Sequence, residues 1–228
     1  MARDLSDCAS CATHLNCVTA HMQPADFAAA QASIRTRRMH PGDELAIEGE
    51  VAGSVRVIKM GSAFGYRRGV DGRTRPVGMM ARGSAVGLFG VFGQPTPVTV
   101  AAASDVRVCE IPVRTMSEVA ARDAVFSHYL ASAAVQSCGS IAAWSEAMRL
   151  RGVGKQLAYA LLLLAEGEAD GDIELPTQVA LAELLGTTRE TVARSLAALE
   201  QEGAIVRKPG KRCGIARAKL LARLDAPA

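Results

Sequence analysis

The apolar positions of this chain change their rhythm part-way along. In the first half they fall in short strand-length runs: Leu45 to Glu48, Ser54 to Met60, Ala63 to Arg68, Arg75 to Met80, Val98 to Ala103 and Asp105 to Pro112. Gly49, Gly53, Gly61, Gly69, Gly83 and the pair Asp71-Gly72 separate the runs, and Asp-Gly is a strong hairpin signal. Many short strands at close intervals predict a small antiparallel roll. Ahead of them, Phe27 to Thr36 reads as a short amphipathic helix ending before the Pro41-Gly42 turn.

From Ser117 to Arg151 the period lengthens. This stretch is rich in Ala and lacks Pro, and Leu130, Ala134, Cys138, Ile141, Ser145 and Met148 recur at spacings of three and four. Such a stripe predicts one long helix with a coiled-coil dimer face, set between two unlike modules. Val153 to Glu166 reads as another helix, with Leu157, Leu161 and Leu164 on its buried side, and Asp172 to Pro176 breaks the pattern.

Thr177 to Leu185 and Thr188 to Gln201 then predict two helices crossing at Gly186, a helix-turn-helix. Ala182 is small where the helices approach, Gly186 supplies a permissive turn, and Val192 and Leu196 point back into the crossing. Thr187 or Thr188 can cap the second helix. Its exposed start offers Arg189, Glu190 and Arg194, which suit base edges: Arg donates to guanine O6 and N7, and Glu accepts from cytosine N4. Ala204 to Ile215 alternates like a hairpin with a Pro209-Gly210 tip, a wing whose Arg207, Lys208, Lys211 and Arg212 would lie on phosphates, joined by Thr188 and Thr191.

Charge sharpens that picture. The net +3 of the 228 residues concentrates in the last fifth of the chain, as a phosphate-binding footprint requires. The longest apolar run, Leu157 to Ala165, is far short of the roughly 20 residues a bilayer helix needs. No secretory signal is read at the N-terminus, which points to the cytoplasm. The Gly83 to Gly90 loop lacks the Lys-Ser/Thr ending of a phosphate loop, and no nicotinamide or flavin fingerprint occurs, so a binding protein is expected rather than an enzyme.

Six cysteines in a reducing compartment point to ligation or redox chemistry rather than disulfides. Cys8, Cys11 and Cys17 form a C-x2-C-x5-C array, able to occupy three corners of one metal centre. An inert cysteine-rich loop, a zinc site and an iron–sulfur site all remain open on spacing alone. A fourth ligand would come from His14, Cys109, Cys138 or Cys213.

Taken in order, these modules resemble the CRP/FNR family of bacterial transcription regulators, and Leu184 to Arg194 is similar to that family's DNA-reading segment. The resemblance implies an α+β chain. A cysteine-rich arm (1–22) precedes an antiparallel, jelly-roll-like β-roll sensor (23–115), a dimerisation helix (116–151) and a winged helix-turn-helix (152–228). The array together with Val108-Cys109-Glu110-Ile111-Pro112 resembles the oxygen-sensing branch of the family, which implies a [4Fe–4S] cluster on Cys8, Cys11, Cys17 and Cys109. It also implies a homodimer on a DNA palindrome with TGA-containing half-sites, and RNA polymerase as partner. Ala193 and Arg189 depart from that branch toward the cyclic-AMP branch. The Glu and the Arg that the cyclic-AMP branch uses for its nucleotide are absent from Val86 to Phe89 and Pro97 to Val100, so no cyclic nucleotide is expected.

Overall fold

A computed structural model describes the chain apart from residues 1–7, 9–10, 12, 15–16, 167, 169–170, 211 and 226–228. Two antiparallel four-stranded sheets make the roll. The first orders β1 (Arg35–Met39), β8 (Val106–Pro112), β3 (Ser54–Met60) and β6 (Ala85–Val86). The second orders β2 (Glu44–Ala46), β7 (Thr99–Ala102), β4 (Ala63–Arg68) and β5 (Thr74–Met80). Between them lies a core that includes Leu45, Ile58, Ala63, Val100, Val106 and Val108. Because strand side chains alternate, the other face of β3 and β8 presents Val55, Val57, Cys109 and Ile111 to a second core, shared with the arm and the helices.

Two expectations shift at the roll. The first helix is α1 (Pro24–Gln31), started by a proline at its first turn, and Arg35 to Met39 is an edge strand paired with β8, not a helix end. The Asp71-Gly72 hairpin stands, with Gly72 at φ 75° and Gly69 N–H donating to Arg73 O at 2.8 Å. The glycine loop packs closely: a Cβ on Gly90 would meet Ala52 O at 2.2 Å, and one on Gly87 would meet Ser54 O at 2.6 Å.

The long helix is two helices. α2 (Val113–Arg122) ends at Asp123, whose extended backbone (φ −119°, ψ 100°) breaks the run. The Asp123 carboxylate then caps α3 (Ala124–Arg149) by accepting from Val125 N–H at 2.9 Å and Phe126 N–H at 3.0 Å. At 26 residues, α3 is about 39 Å long and reaches from the arm to the C-terminal domain.

α4 (Val153–Leu164), α5 (Gln178–Leu185), α6 (Arg189–Gln201) and α7 (Arg217–Asp225) build the C-terminal domain with β9 (Asp172–Glu174), β10 (Ile205–Arg207) and β11 (Arg212–Ile215). The stretch read as a break is therefore partly strand: β9 pairs with β11 and completes a three-stranded wing sheet. One continuous core joins this domain to the roll through Phe64, Met79 and Trp144. Polar ties reinforce it, with Tyr66 Oη donating to Glu183 Oε1 at 2.7 Å, Gly61 N–H to Glu174 Oε2 at 3.1 Å, and Arg82 paired with Glu168 at 2.7 Å.

Candidate sulfur site and nucleic-acid interface

In the arm, hydrogen bonds repeat every third residue. Cys8 O accepts from Cys11 N–H, Cys11 O from His14 N–H, His14 O from Cys17 N–H and Cys17 O from Ala20 N–H, at 2.9 to 3.2 Å. The turns are separate rather than one 3-10 helix, since Cys17 itself is extended (φ −86°, ψ 138°) before the turn Val18–His21. His14 Nδ1 is buried with no hydrogen-bond partner.

From Cys17 onward the arm packs against the sheet that carries Cys109. Cys109 pairs with Thr36 on one side and Val57 on the other, and its side chain lies on the arm side of β8. Burial first, then the charges of Cys109 and Cys17, and to a lesser degree Cys11, push the Cys8 thiol up to about 11. Burial chiefly pushes the Cys109 thiol up, with the charges of Cys17 and Cys11 adding to it. Burial also raises Cys11, but hydrogen bonds from Thr13 and the Lys59 ammonium outweigh it and leave that thiol lowered. Lys59 is only 7% exposed, an unusual place for a lysine unless negative charge is nearby. Thr19 Oγ1 donates to Cys17 Sγ at 3.2 Å.

A tetrahedral zinc at about 2.3 Å from its sulfurs would need thiolates within about 4 Å of one another. Among the described residues no three His, Cys, Asp or Glu side chains form such a single-ion group. Cys8, Cys11, Cys17 and Cys109 could together supply four thiolates, the number that holds a larger cluster. Of the remaining thiols, Cys138 is exposed on α3 and Cys213 is buried in the core of the C-terminal domain.

The stripe on the long helix needs correction. Leu130 and Ala134 are buried in the chain's own arm-and-roll core, and Ile141 and Met148 pack against its other cores. The exposed face runs one position over, through His128, Ala131, Val135, Cys138, Ala142, Ser145 and Arg149. Their alternating three-and-four spacing is that of a coiled-coil seam, and Val135 at its middle is 71% exposed. Only Cys138 and Ser145 belong to both sets. The bulky Leu130, Ile141 and Met148 turn toward the chain's own cores, whereas the middle of the exposed face carries the smaller Ala131, Val135, Cys138, Ala142 and Ser145.

The helix-turn-helix follows the sequence closely. Thr177 caps α5, Gly186 ends it at φ 60°, and Thr188 Oγ1 caps α6 by accepting from Thr191 N–H at 3.3 Å. Val192 and Leu196 are fully buried while Arg189, Glu190 and Arg194 are exposed on one side of α6. Both arginines are lightly held, Arg189 Nε donating to Gln178 Oε1 at 3.4 Å and Arg194 to Thr191 Oγ1 at 3.3 Å.

The wing is less free than its composition suggests. Asp172, buried on β9, takes Lys208 Nζ at 2.7 Å and Arg212 at 3.1 Å, and Arg207 pairs with Glu200 at 3.2 Å. These cations thus fasten the wing in the unbound chain, a role the sequence reading assigned wholly to phosphates. Lys211 lies outside the described residues.

A cavity of about 370 Å³ separates the roll from α3, with Leu88, Met80, Tyr129, Gln136, Ser140 and Trp144 among its walls. Among the described residues that line it, Arg82 is the sole cation, and Glu168 already neutralises it at 2.7 Å. Among the described residues no helix is long and apolar enough to cross a membrane.

Residues 36–123 match the cyclic nucleotide-binding domain family and residues 155–224 the Crp-like helix-turn-helix domain family. No curated protein matches the sequence. Among solved structures the chain is similar to FixK2 from Bradyrhizobium japonicum, at 23% identity over 86% of this chain and 98% of that one, with a TM-score of 0.62. It is also similar to a CRP-family transcriptional regulator from Thermus thermophilus, at 20% identity over 83% and 97% of the two chains, TM-score 0.55. A variant of CooA from Carboxydothermus hydrogenoformans aligns at 18% identity over 85% and 88%, TM-score 0.53.

Proposed function

With a cyclic nucleotide-binding domain followed by a Crp-like helix-turn-helix domain, the chain is built as a CRP/FNR-family transcription regulator, and from that premise we propose that it senses oxygen through a [4Fe–4S] cluster. Cys8, Cys11, Cys17 and Cys109 hold the cluster, and a homodimer binds a promoter palindrome with TGA-containing half-sites, where it meets RNA polymerase. The observation that carries this reading is the packing of the arm, from Cys17 onward, on the face of β8 that presents Cys109. When bound, the cluster supplies an oxygen-labile inorganic centre.

The chain's own contribution is mechanical. Three ligands on the arm and one on β8 tie residues far apart in sequence to one face of the roll. The arm continues from Cys17 straight into the core it shares with α3. The outward seam of α3 meets its copy in the dimer, which sets the spacing of two α6 helices. Two half-sites one helical turn apart require that spacing. Arg189, Glu190 and Arg194 then read base edges, and their weak intramolecular contacts cost little to break. Cyclic nucleotide has no part in this reading.

The test is anaerobic reconstitution with ferrous iron and sulfide, followed by metal and sulfide analysis and visible absorbance before and after air. Four-ligand binding predicts that Cys109→Ser abolishes the absorbance and Cys138→Ser leaves it. The opposite pattern relocates the fourth ligand. A wild-type chain that takes up neither iron nor sulfide removes the sensor, whatever its DNA binding.

A further inference from the structure

The residues that follow the third arm cysteine run directly onto α3. Cys17 leads into a single 3-10 turn (Val18–His21) in which Val18 is 3% and Thr19 2% exposed, and Met22 beyond it is buried in the same core as Phe126, Leu130 and Ala134. His21 lies flat against Tyr129 of α3, with ring centroids 3.6 Å apart and planes 19° apart. Cys17 and Tyr129 pack against that same core, so the ring lies beside the end of the cysteine arm. Tyr129 therefore touches the arm on one side while belonging to the helix turns whose far side exposes Ala131 and Val135.

The ring also has somewhere to go. Tyr129, Val18 and Ala133 are walls of the cavity between roll and α3. An arm held in place keeps the ring stacked on His21; an arm released leaves it free to turn into that space. Two discrete positions of one large side chain are what a packed core needs to pass on a small displacement.

We infer that Tyr129, stacked on His21, is the positioning residue through which the state of the cysteine arm reaches the dimer seam of α3. The inference rests on the sulfur-centre reading above. A flat, close stack couples displacement of the arm to rotation of α3, and rotation of α3 moves Ala131, Val135 and Cys138 out of register with the second copy. No base-reading residue and no cysteine ligand takes part in this step.

The test uses the full-length chain, reconstituted anaerobically with ferrous iron and sulfide, and measures dimer dissociation by sedimentation equilibrium before and after air. Iron and sulfide per chain are measured on the same samples. Wild type should show a dimer dissociation constant that changes on exposure to air. Tyr129→Ala and His21→Ala should keep wild-type iron and sulfide yet shrink that change by about two- to tenfold, the range ring stacking supports. Tyr129→Phe, which keeps the ring, should preserve it. Should Tyr129→Ala fail to fold, His21→Ala removes the same stack from the other side. Alanine variants that keep the full response to air overturn the inference, as do variants that lose their iron, since Tyr129 would then hold the site rather than transmit from it. A loaded wild type whose dimerisation ignores air overturns it too, while leaving the centre intact. A wild type that binds no iron or sulfide instead removes the reading on which it rests.

Discussion

Val135 and Leu130 are five residues apart on one helix and should fail in opposite ways. Val135 is 71% exposed in the single chain, and Leu130 is fully buried. In a dimer built on the outward seam, two copies of Val135 leave water together. Forgoing that burial costs about 1.5 kcal/mol per side chain at the low end, about 3 kcal/mol for the pair. Val135→Glu also sets two carboxylates near the twofold axis, adding about 1 kcal/mol at about 4 Å even in a water-like dielectric. The sum of about 4 kcal/mol weakens the dimer by about a thousandfold, with the melting temperature of the monomer unchanged. Leu130→Ala instead opens a cavity in the arm-and-roll core and costs about 2–5 kcal/mol of folding stability. At roughly 2–4 °C per kcal/mol for a chain of this size, its melting temperature falls by about 4–20 °C. Below that transition its dimer affinity should stay within about threefold of wild type. Sedimentation equilibrium and thermal melts on both variants decide the matter. A Val135→Glu chain that remains dimeric, beside a Leu130→Ala chain that dissociates while folded, would restore the inward stripe as the interface and refute the seam.

Further outcomes follow from single contacts. Asp172→Asn should cost about 1–3 kcal/mol by stripping a buried acceptor from Lys208 and Arg212, with hydrogen-exchange protection falling first in β9 to β11; uniform loss across the domain would deny that the pair fastens the wing. Glu190→Gln should cost about 1–3 kcal/mol of discrimination at one base pair of the half-site, read by competition with duplexes changed one position at a time, whereas an equal loss for every duplex would make Glu190 a scaffold residue. At the hairpin tip, hydrogen bonds from Arg75 hold the Asp71 carboxyl down at about 2. Its contribution to stability is therefore full above its ordinary value near 3.8 and lost as pH falls through about 2. An NMR titration of Asp71 should show that low midpoint in wild type and its return upward in Arg75→Ala.

The parts of the fold most legible in the sequence are those whose signals are local. Thr177, Gly186 and Thr188 each do one job within a few residues of themselves, and the helix-turn-helix they punctuate is where expectation and structure agree best. β3 and β4 were legible for the same reason. β1 was not, because Arg35-Thr36-Arg37-Arg38 has no apolar alternation: it is an edge strand whose charge faces water, and it exists through its pairing with β8. β9 is three residues long and is defined by β11 alone. The break at Asp123 carried a readable signal, a capping residue at the head of an Ala-rich run, but without Pro or Gly the longer helix was the simpler pattern.

The sites divide along the same line. The exposure of Arg189, Glu190 and Arg194 could be anticipated because an exposed helix start depends only on the helix beneath it. The exposed stripe of α3 could not, since periodicity finds a helical stripe without saying which of two neighbouring stripes the rest of the chain will cover; that depends on the roll, the arm and the C-terminal core, none of which is local to α3. Cys109 shows the limit most clearly. In sequence it is one apolar-flanked cysteine in a strand, and a small core residue is what such a position usually holds. What separates Cys109 from Val106 and Val108 beside it is parity: an odd position on β8 looks toward the arm and an even one into the roll. A one-residue slip of β8 against β3 would bury that sulfur inside the roll, on the side away from the arm. The register of a single strand pair, Val57 opposite Cys109, thus decides whether the arm and the roll can share a centre at all.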